Sequence, residues 1–191
     1  AVQVMASRAD PDSRDAAVTK EIIARVDTLT ELMQDLLLFA RPPQPKPRPV
    51  DLGPLVANTI DFLSQDPAVK GMRVLVEGFA PVVLADADLL KIVFQNLLIN
   101  GAHAMGGSGE LRVLLAAASS TACSVAFADR GPGIPPEIRE KIFAPFFTTK
   151  ARGTGHGLPT AKRLVEAQRG TISIHCPPFG GTTVTIQLPQ H

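Results

Sequence analysis

The sequence predicts an α+β chain: a two-layer α/β sandwich with a mixed, mostly antiparallel sheet and its helices on one face, preceded by the remnant of an α-helical hairpin. Three observations predict it. Residues 15–40 carry apolar side chains at helical spacing. The stretch "RPPQPKPRP" then stops any helix. Beyond it, helical patterns alternate with short apolar runs of strand type in an order that mixes hairpins with helices.

Composition bounds the function. In 191 residues, 45% are hydrophobic and 19% charged, the balance of an ordinary globular protein. A formal net charge of +1 supplies no overall field to recruit nucleic acid or an anionic membrane, so any anion site must be local. Cys123 and Cys176 stand apart without a C-x-x-C pair, which fits small apolar residues on strands better than a metal site or a disulfide framework. No run approaches the ~18 apolar residues of a membrane span. The chain opens "AVQVMASR", without Met and in helical register, and reads as a piece of something longer.

Taken in order, Ile22, Val26, Leu29, Met33, Leu36 and Ala40 form a seam with steps of four and three, and Ile23, Thr30 and Leu37 make a second row. So wide a stripe suits a helical bundle, with "AVQVMASR" as the tail of an antiparallel partner helix. One amphipathic helix lying on the following domain is the alternative. Alternate prolines at 43, 45, 47 and 49 favour an extended polyproline connector. This sets a division into residues 1–40, a linker of 41–50, and a domain of 51–191.

In that domain "DLGPLVANTIDFL" predicts a helix capped by Asp51, and "MRVLVEG" and "PVVLAD" predict short strands. Asp86 caps a long helix that Gly106 and Gly107 end. "GELRVLLAAAS" and "TACSVAFAD" predict a hairpin. A Gly/Pro-rich loop follows from Arg130 to His156, then a helix over 158–168, and finally the strands "GTISIHC" and "TTVTIQLP".

Three places carry chemistry. Asn96 and Asn100 share one face of the long helix, with His103 a turn later. Amid Leu, Ile, Val and Phe these amides need partners; an Asn oxygen facing a cleft can ligate Mg2+, and core amides satisfied by backbone are the alternative. Asp129 ends an apolar strand before Gly131 and Gly133, where a carboxylate can accept from an exocyclic amine or simply cap a turn. Gly153, Gly155 and Gly157 alternate with Thr154 and His156 behind Lys150 and Arg152, and run into a helix. Unhindered N–H groups ahead of a helix N-terminus cradle phosphate, though a plain flexible lid would look similar. Pro159 fits that first turn, whose N–H groups have no intrahelical partner.

The order of these blocks carries the specificity. From about residue 51 to 189 the chain resembles the ATP-binding catalytic domain of sensor histidine kinases, within the Bergerat-fold (GHKL) ATPase superfamily. "NLLINGAHAM" resembles the N box, "DRGPGI" the G1 box, "FAPFFTTK" the F box and "GTGHGL" the G2 box. "RVDTLTELMQDLLLFARP" resembles the second helix of the dimerisation and phosphotransfer hairpin, and the nitrogen-regulator-like kinases with short lids are the subgroup it looks most like.

The resemblance implies ATP and Mg2+ as cofactors. It implies Asn100 as the magnesium ligand with Asn96 beside it, Asp129 on the adenine amino group, Gly131 and Gly133 shaping that pocket, and Thr182 lining it. Lys150 and the Gly153–Gly157 segment, with Thr154, His156 and Leu158 in the same box, would hold phosphates. Phe143, Phe146 and Phe147 would anchor the lid. As partners it implies a response-regulator receiver domain and a second copy through the hairpin, with no nucleic acid and no membrane contact by this segment, in the cytoplasm.

Departures from the family pattern are Gly101 for Ala, His156 for Leu, Pro159 for Ala, and His103 where relatives carry Lys, Arg or Gln. Gly101 should weaken its helix by roughly 0.5–1 kcal/mol. The four histidines, at 103, 156, 175 and 191, all lie in the predicted catalytic domain. A phosphoacceptor His is thus expected to be missing and the chain to be unable to phosphorylate itself. Asn96 stands where gyrase-like and chaperone-like relatives keep a water-activating Glu, which disfavours self-contained hydrolysis. A nucleotide-gated scaffold without catalysis is the rival reading. An anti-sigma-type serine kinase is disfavoured by the hairpin-like helix and the proline linker.

Overall fold

The computed structural model describes residues 18–19, 21–23, 25–26, 30, 33, 44–145, 147–149 and 155–190. The chain divides into two units, Ala1–Arg41 and Pro42–His191. In the first, the described residues are helical. Ile22, Val26 and Met33 of the predicted seam are about half exposed or more. Glu21 and Arg25 pair along that helix at 3.5 Å. "AVQVMASR", Leu29, Leu36, Leu37 and Ala40 lie outside the described residues.

In the second unit the first helix, α1 (Leu52–Leu63), starts where Asp51 accepts from Gly53 N at 3.0 Å. It buries Leu52, Val56, Thr59 and Leu63, a stripe one turn apart. Helix α2 (Ala87–Ala104) starts at Asp86, whose Oδ1 accepts from Asp88 N and Leu89 N. Its end is set by glycine. Gly106 and Gly107 adopt φ of 67° and 78°, and their N–H groups return to His103 O and Ala102 O, the paired bonds of a Schellman ending. Helix α3 (Gly157–Ala167) begins one residue earlier than the periodicity predicts.

The strands are β1 (Arg48–Val50), β2 (Met72–Gly78), β3 (Val83–Ala85), β4 (Gly109–Ser119), β5 (Ala122–Asp129), β6 (Thr171–His175) and β7 (Thr182–Pro189). A five-stranded sheet runs β2-β4-β5-β7-β6. Its β2·β4 pair is parallel and its other pairs are antiparallel, so it is mixed and mostly antiparallel as expected. Alternation divides its faces. Leu111, Val113 and Leu115 are buried, while Arg112 and Leu114 between them are exposed. Val113, Phe127, Val184 and Ile174 form one cross-strand row, and Leu115, Val125, Ile186 and Ile172 the next. Helix α2 buries eight residues between the sheet and the other two helices, with Phe94 and Phe127 rings 5.5 Å apart. Among the described residues no helix is long and apolar enough to cross a membrane.

One feature differs from the sequence expectation. The tail of the proline-rich stretch is not a free connector: Arg48–Val50 pairs antiparallel with β3, and Lys46 N donates to Asp86 Oδ2 at 2.8 Å. Two paired strands of three residues tolerate proline because β1 lies at an edge.

Candidate nucleotide-binding site

The site grows from the last rung of the sheet. Asp129 closes β5 opposite Thr182, which opens β7, on the helix-facing side two residues from Phe127 and Val184. Thr182 is buried, and its N–H donates to Asp129 Oδ1 at 3.1 Å. Gly131 N donates to the same oxygen at 2.8 Å. Two backbone donors thus fix the carboxylate on one oxygen.

Glycines surround it because backbone must pass close. Gly181 N donates to Gly131 O at 2.7 Å. A β-carbon at Gly181 would fall 2.7 Å from Asp129 O, and one at Gly133 3.2 Å from Gly181 O. Gly133, Gly180 and Gly181 also hold left-handed φ of 80°, 97° and 84°, which an L side chain resists. The double glycine of "FGGTTV" is the sequence mark of this loop, whose partner in the Asp129 turn lies some fifty residues away.

The second cluster lies on α2. Asn96 and Asn100 are half-buried and one turn apart. Asn96 Nδ2 donates to Ile92 O at 3.1 Å, which turns Oδ1 outward from its helix. Against this pair sits Gly157, the first residue of α3, where a β-carbon would lie 2.9 Å from Asn96 Oδ1 and 3.3 Å from Asn100 Nδ2. A carboxamide's oxygen and nitrogen exchange by a flip, so both amides can present oxygen here.

Gly101 joins the clusters. A β-carbon there would lie 3.6 Å from Asp129 Cβ and would overlap Leu111 Cδ1. The residue after Asn100 therefore rests directly on the Asp129 rung, and the two clusters share one wall. His103, in the last turn of α2, is exposed. His156 is buried as the residue capping α3, and its carbonyl accepts from Thr160 N. Gly155 and Leu158 are half-buried on either side. Phe143 lies under the Lys162 ammonium at 5.1 Å, which ties its segment to α3. Lys150, Arg152, Gly153, Thr154 and Phe146 lie outside the described residues.

Behind Gly131 lies an open cavity of about 610 Å3, bordered by Arg73, Ser108, Glu110, Arg130 and Pro132. It contains neither Asp129 nor the asparagines, so it is a neighbour of the site. There Arg112, Arg130 and Arg73 contact Glu110 at 3.1, 3.0 and 3.9 Å. The Arg112 hydrogen bond, with the nearby Arg130 and Arg73 charges, holds the Glu110 carboxyl below its usual range.

A carboxylate at a sheet end, an amide pair on the adjoining helix and a glycine helix start facing that pair bring a hydrogen-bond acceptor and a helix N-terminus to one wall, an arrangement able to meet a donor edge at one end and anionic groups at the other. Comparison decides the family. Residues 85–191 match the model for the histidine kinase-, DNA gyrase B-, and HSP90-like ATPase family, HATPase_c. The chain belongs to this family.

Its match holds the ATP-binding catalytic domain of the histidine kinase type. The chain is 35% identical over 174 residues to the signal transduction histidine-protein kinase AtoS of Escherichia coli, an alignment covering 88% of the chain and 28% of that protein. It is 32% identical over 186 residues to the sensor histidine kinase ZraS of Klebsiella oxytoca, covering 96% of the chain and 40% of ZraS. The mycobacterial sensor histidine kinase MprB superposes with a TM-score of 0.65 at 26% identity, over 74% of this chain and 97% of that one. The chain thus spans under half the length of these two curated relatives, and both alignments run beyond the residues that the family model matches.

Proposed function

We propose that this HATPase_c chain is the catalytic core of a two-component sensor histidine kinase, which binds ATP with Mg2+ and delivers the γ-phosphoryl to a histidine. One observation carries the reading: the first residue of α3 packs on Asn96 and Asn100 while the next residue of α2, Gly101, packs on Asp129. That spacing suits a nucleotide whose base meets the carboxylate and whose phosphates meet the helix start.

In this reading Asp129, fixed through Oδ1 by two backbone donors, turns its other oxygen to the adenine amino group. Thr182, Gly131 and Gly133 shape the base pocket. Gly157 and Leu158 bring the first N–H groups of α3 to the phosphates, helped by the positive end of the helix dipole. The reading also assigns phosphate contacts to Lys150, Gly153, Thr154 and Gly155, and to His103 and His156.

The donor set fits magnesium. Asn96 turns a neutral amide oxygen to the helix–glycine contact, and Asn100, whose Nδ2 faces it, would offer its own oxygen with the carboxamide turned over. Among the described residues no cluster of three His, Cys, Asp or Glu exists that would select a transition metal instead. Bound there, magnesium would neutralise charge on the phosphate oxygens. The protein's share is positioning, exclusion of water by the lid, and the absence at Asn96 of a carboxylate able to activate water.

Residues 1–40 supply part of a dimerising hairpin, 41–50 its linker and 51–191 the catalytic domain, with the linker's last residues tied into that domain by β1. Since no histidine precedes His103, the acceptor comes from outside this sequence. A receiver domain then takes the phosphate, and the setting is cytoplasmic. The test supplies isotopically labelled ATP and a separate hairpin bearing an acceptor His. Label on that His supports the kinase; tight binding of ATP without transfer supports the nucleotide-gated scaffold.

A further inference from the structure

Phe179 is fully exposed, at 101%, the most exposed large apolar side chain among the described residues. It sits in the loop between β6 and β7, and that loop is firmly held. Pro177 and Pro178 precede it, and Gly180 N donates to Pro177 O at 3.2 Å, closing a four-residue turn with Phe179 third. Gly180 and Gly181 follow in left-handed conformations. Gly181 N bonds Gly131 O, and a β-carbon at Gly180 would lie 3.3 Å from that same oxygen. The turn is therefore stitched to the glycine loop of Asp129. Gly180 alone stands between Phe179 and Gly181, a Cα distance of at most about 7 Å. Gly181 itself packs on the Asp129 carbonyl.

We propose that Phe179 is a nucleobase-contacting residue: its ring covers the outer side of the purine that Asp129 receives, and so favours adenine nucleotides over a bare polyphosphate. This rests on the reading of the site as a nucleotide site. A phenyl ring on a rigid turn loses little freedom on contact, with only two side-chain torsions to fix. Stacking on a purine removes apolar surface from water on both partners and needs no hydrogen-bond register. The loop's backbone contacts are made by glycines, so the ring has no part in holding the turn.

The chain contains no Trp and no Tyr, so Phe179→Trp installs a lone indole. The full chain carrying it is titrated with ATP and with tripolyphosphate, each with magnesium. The proposal expects ATP to quench the indole and tripolyphosphate to leave it unchanged. It also expects Phe179→Ala to weaken ATP binding about fivefold, the low end for loss of one base stack, with tripolyphosphate affinity and melting temperature unaltered. ATP binding confirmed by calorimetry with a silent indole and an unchanged Phe179→Ala affinity would overturn this proposal alone. Absence of ATP binding by the unaltered chain would overturn the nucleotide reading and this proposal with it.

Discussion

Gly157 lies against Asn96: a β-carbon on the glycine would stand 2.9 Å from the asparagine's Oδ1. The contact joins the start of α3 to the amide face of α2, so the spacing between the proposed phosphate cradle and the proposed metal ligand depends on one missing methyl group. Gly157 has no left-handed φ to preserve, and alanine is sterically free as far as its own backbone is concerned. Gly157→Ala should keep the fold and melt within a few degrees of the parent. It should weaken ATP–magnesium binding about tenfold, the loss of one contact to a charged group. Calorimetric titration beside a thermal melt checks both, and an unchanged affinity would remove the cradle from its proposed place.

Asp129 separates binding from stability. Asparagine keeps an oxygen for Gly131 N and Thr182 N but replaces the second carboxylate oxygen with a donor, which repels an amino group. Asp129→Asn should reduce ATP affinity about tenfold with little change in melting temperature. Asp129→Ala should also lose about 1–3 kcal/mol of stability, because two backbone donors are left without an acceptor. Denaturant unfolding of both variants distinguishes them.

What could be read beforehand follows the range of each interaction. Asp51 and Asp86 were legible as caps because a cap bonds within three residues. The asparagine face was legible because i and i+4 share a side of any helix. β1 was not: its signal is proline, and its partner strand, Val83–Ala85, stands more than thirty residues away. Nor was the parallel pairing of β2 with β4 readable from either strand's own pattern. The approach of Gly157 to Asn96 and the lock between Gly181 and Gly131 are likewise encounters between distant segments. Sequence marks the glycines but not what each one lets in.

Asp86 ties three elements together. Its carboxylate caps α2 and accepts from Lys46 N, while its own N–H donates to Gln168 Oε1 at 2.7 Å, just past α3. Asp86→Ala should cost about 1–2 kcal/mol, and Asp86→Asn, itself a good cap, clearly less. Burial pushes this carboxyl up, but the N–H groups of Lys46, Leu89 and Asp88 and the Lys46 charge outweigh it, so its pKa is lowered. With the folded value below the unfolded one, the ionised group's contribution is complete above the unfolded value of about 3.9 and is lost as pH falls through the folded value. The stability gap between parent and Asp86→Ala should thus stay flat from about pH 5 upward and narrow in acid below about pH 4. A gap that widens in acid would mean that the protonated form is the better partner.

Gly101 sets two effects against each other. A helix-interior alanine gains roughly 0.5–1 kcal/mol over glycine, so exposed positions of this kind are stabilised by the exchange. Here the added carbon would overlap Leu111 Cδ1, and Leu111 is 1% exposed within the core, so its side chain has little room to turn. Overpacking of this sort costs about 1–3 kcal/mol, which outweighs the helical gain. Gly101→Ala should therefore destabilise the chain by about 1 kcal/mol. Pairing it with Leu111→Val, which removes the crowding carbon, should recover part of that loss, because the two sites are in direct contact and their effects do not add. A double-mutant cycle in urea measures the coupling. A coupling energy of zero would mean that α2 and β4 shift apart as a unit, and the shared wall between the asparagines and Asp129 would be softer than the packing at Gly101 requires.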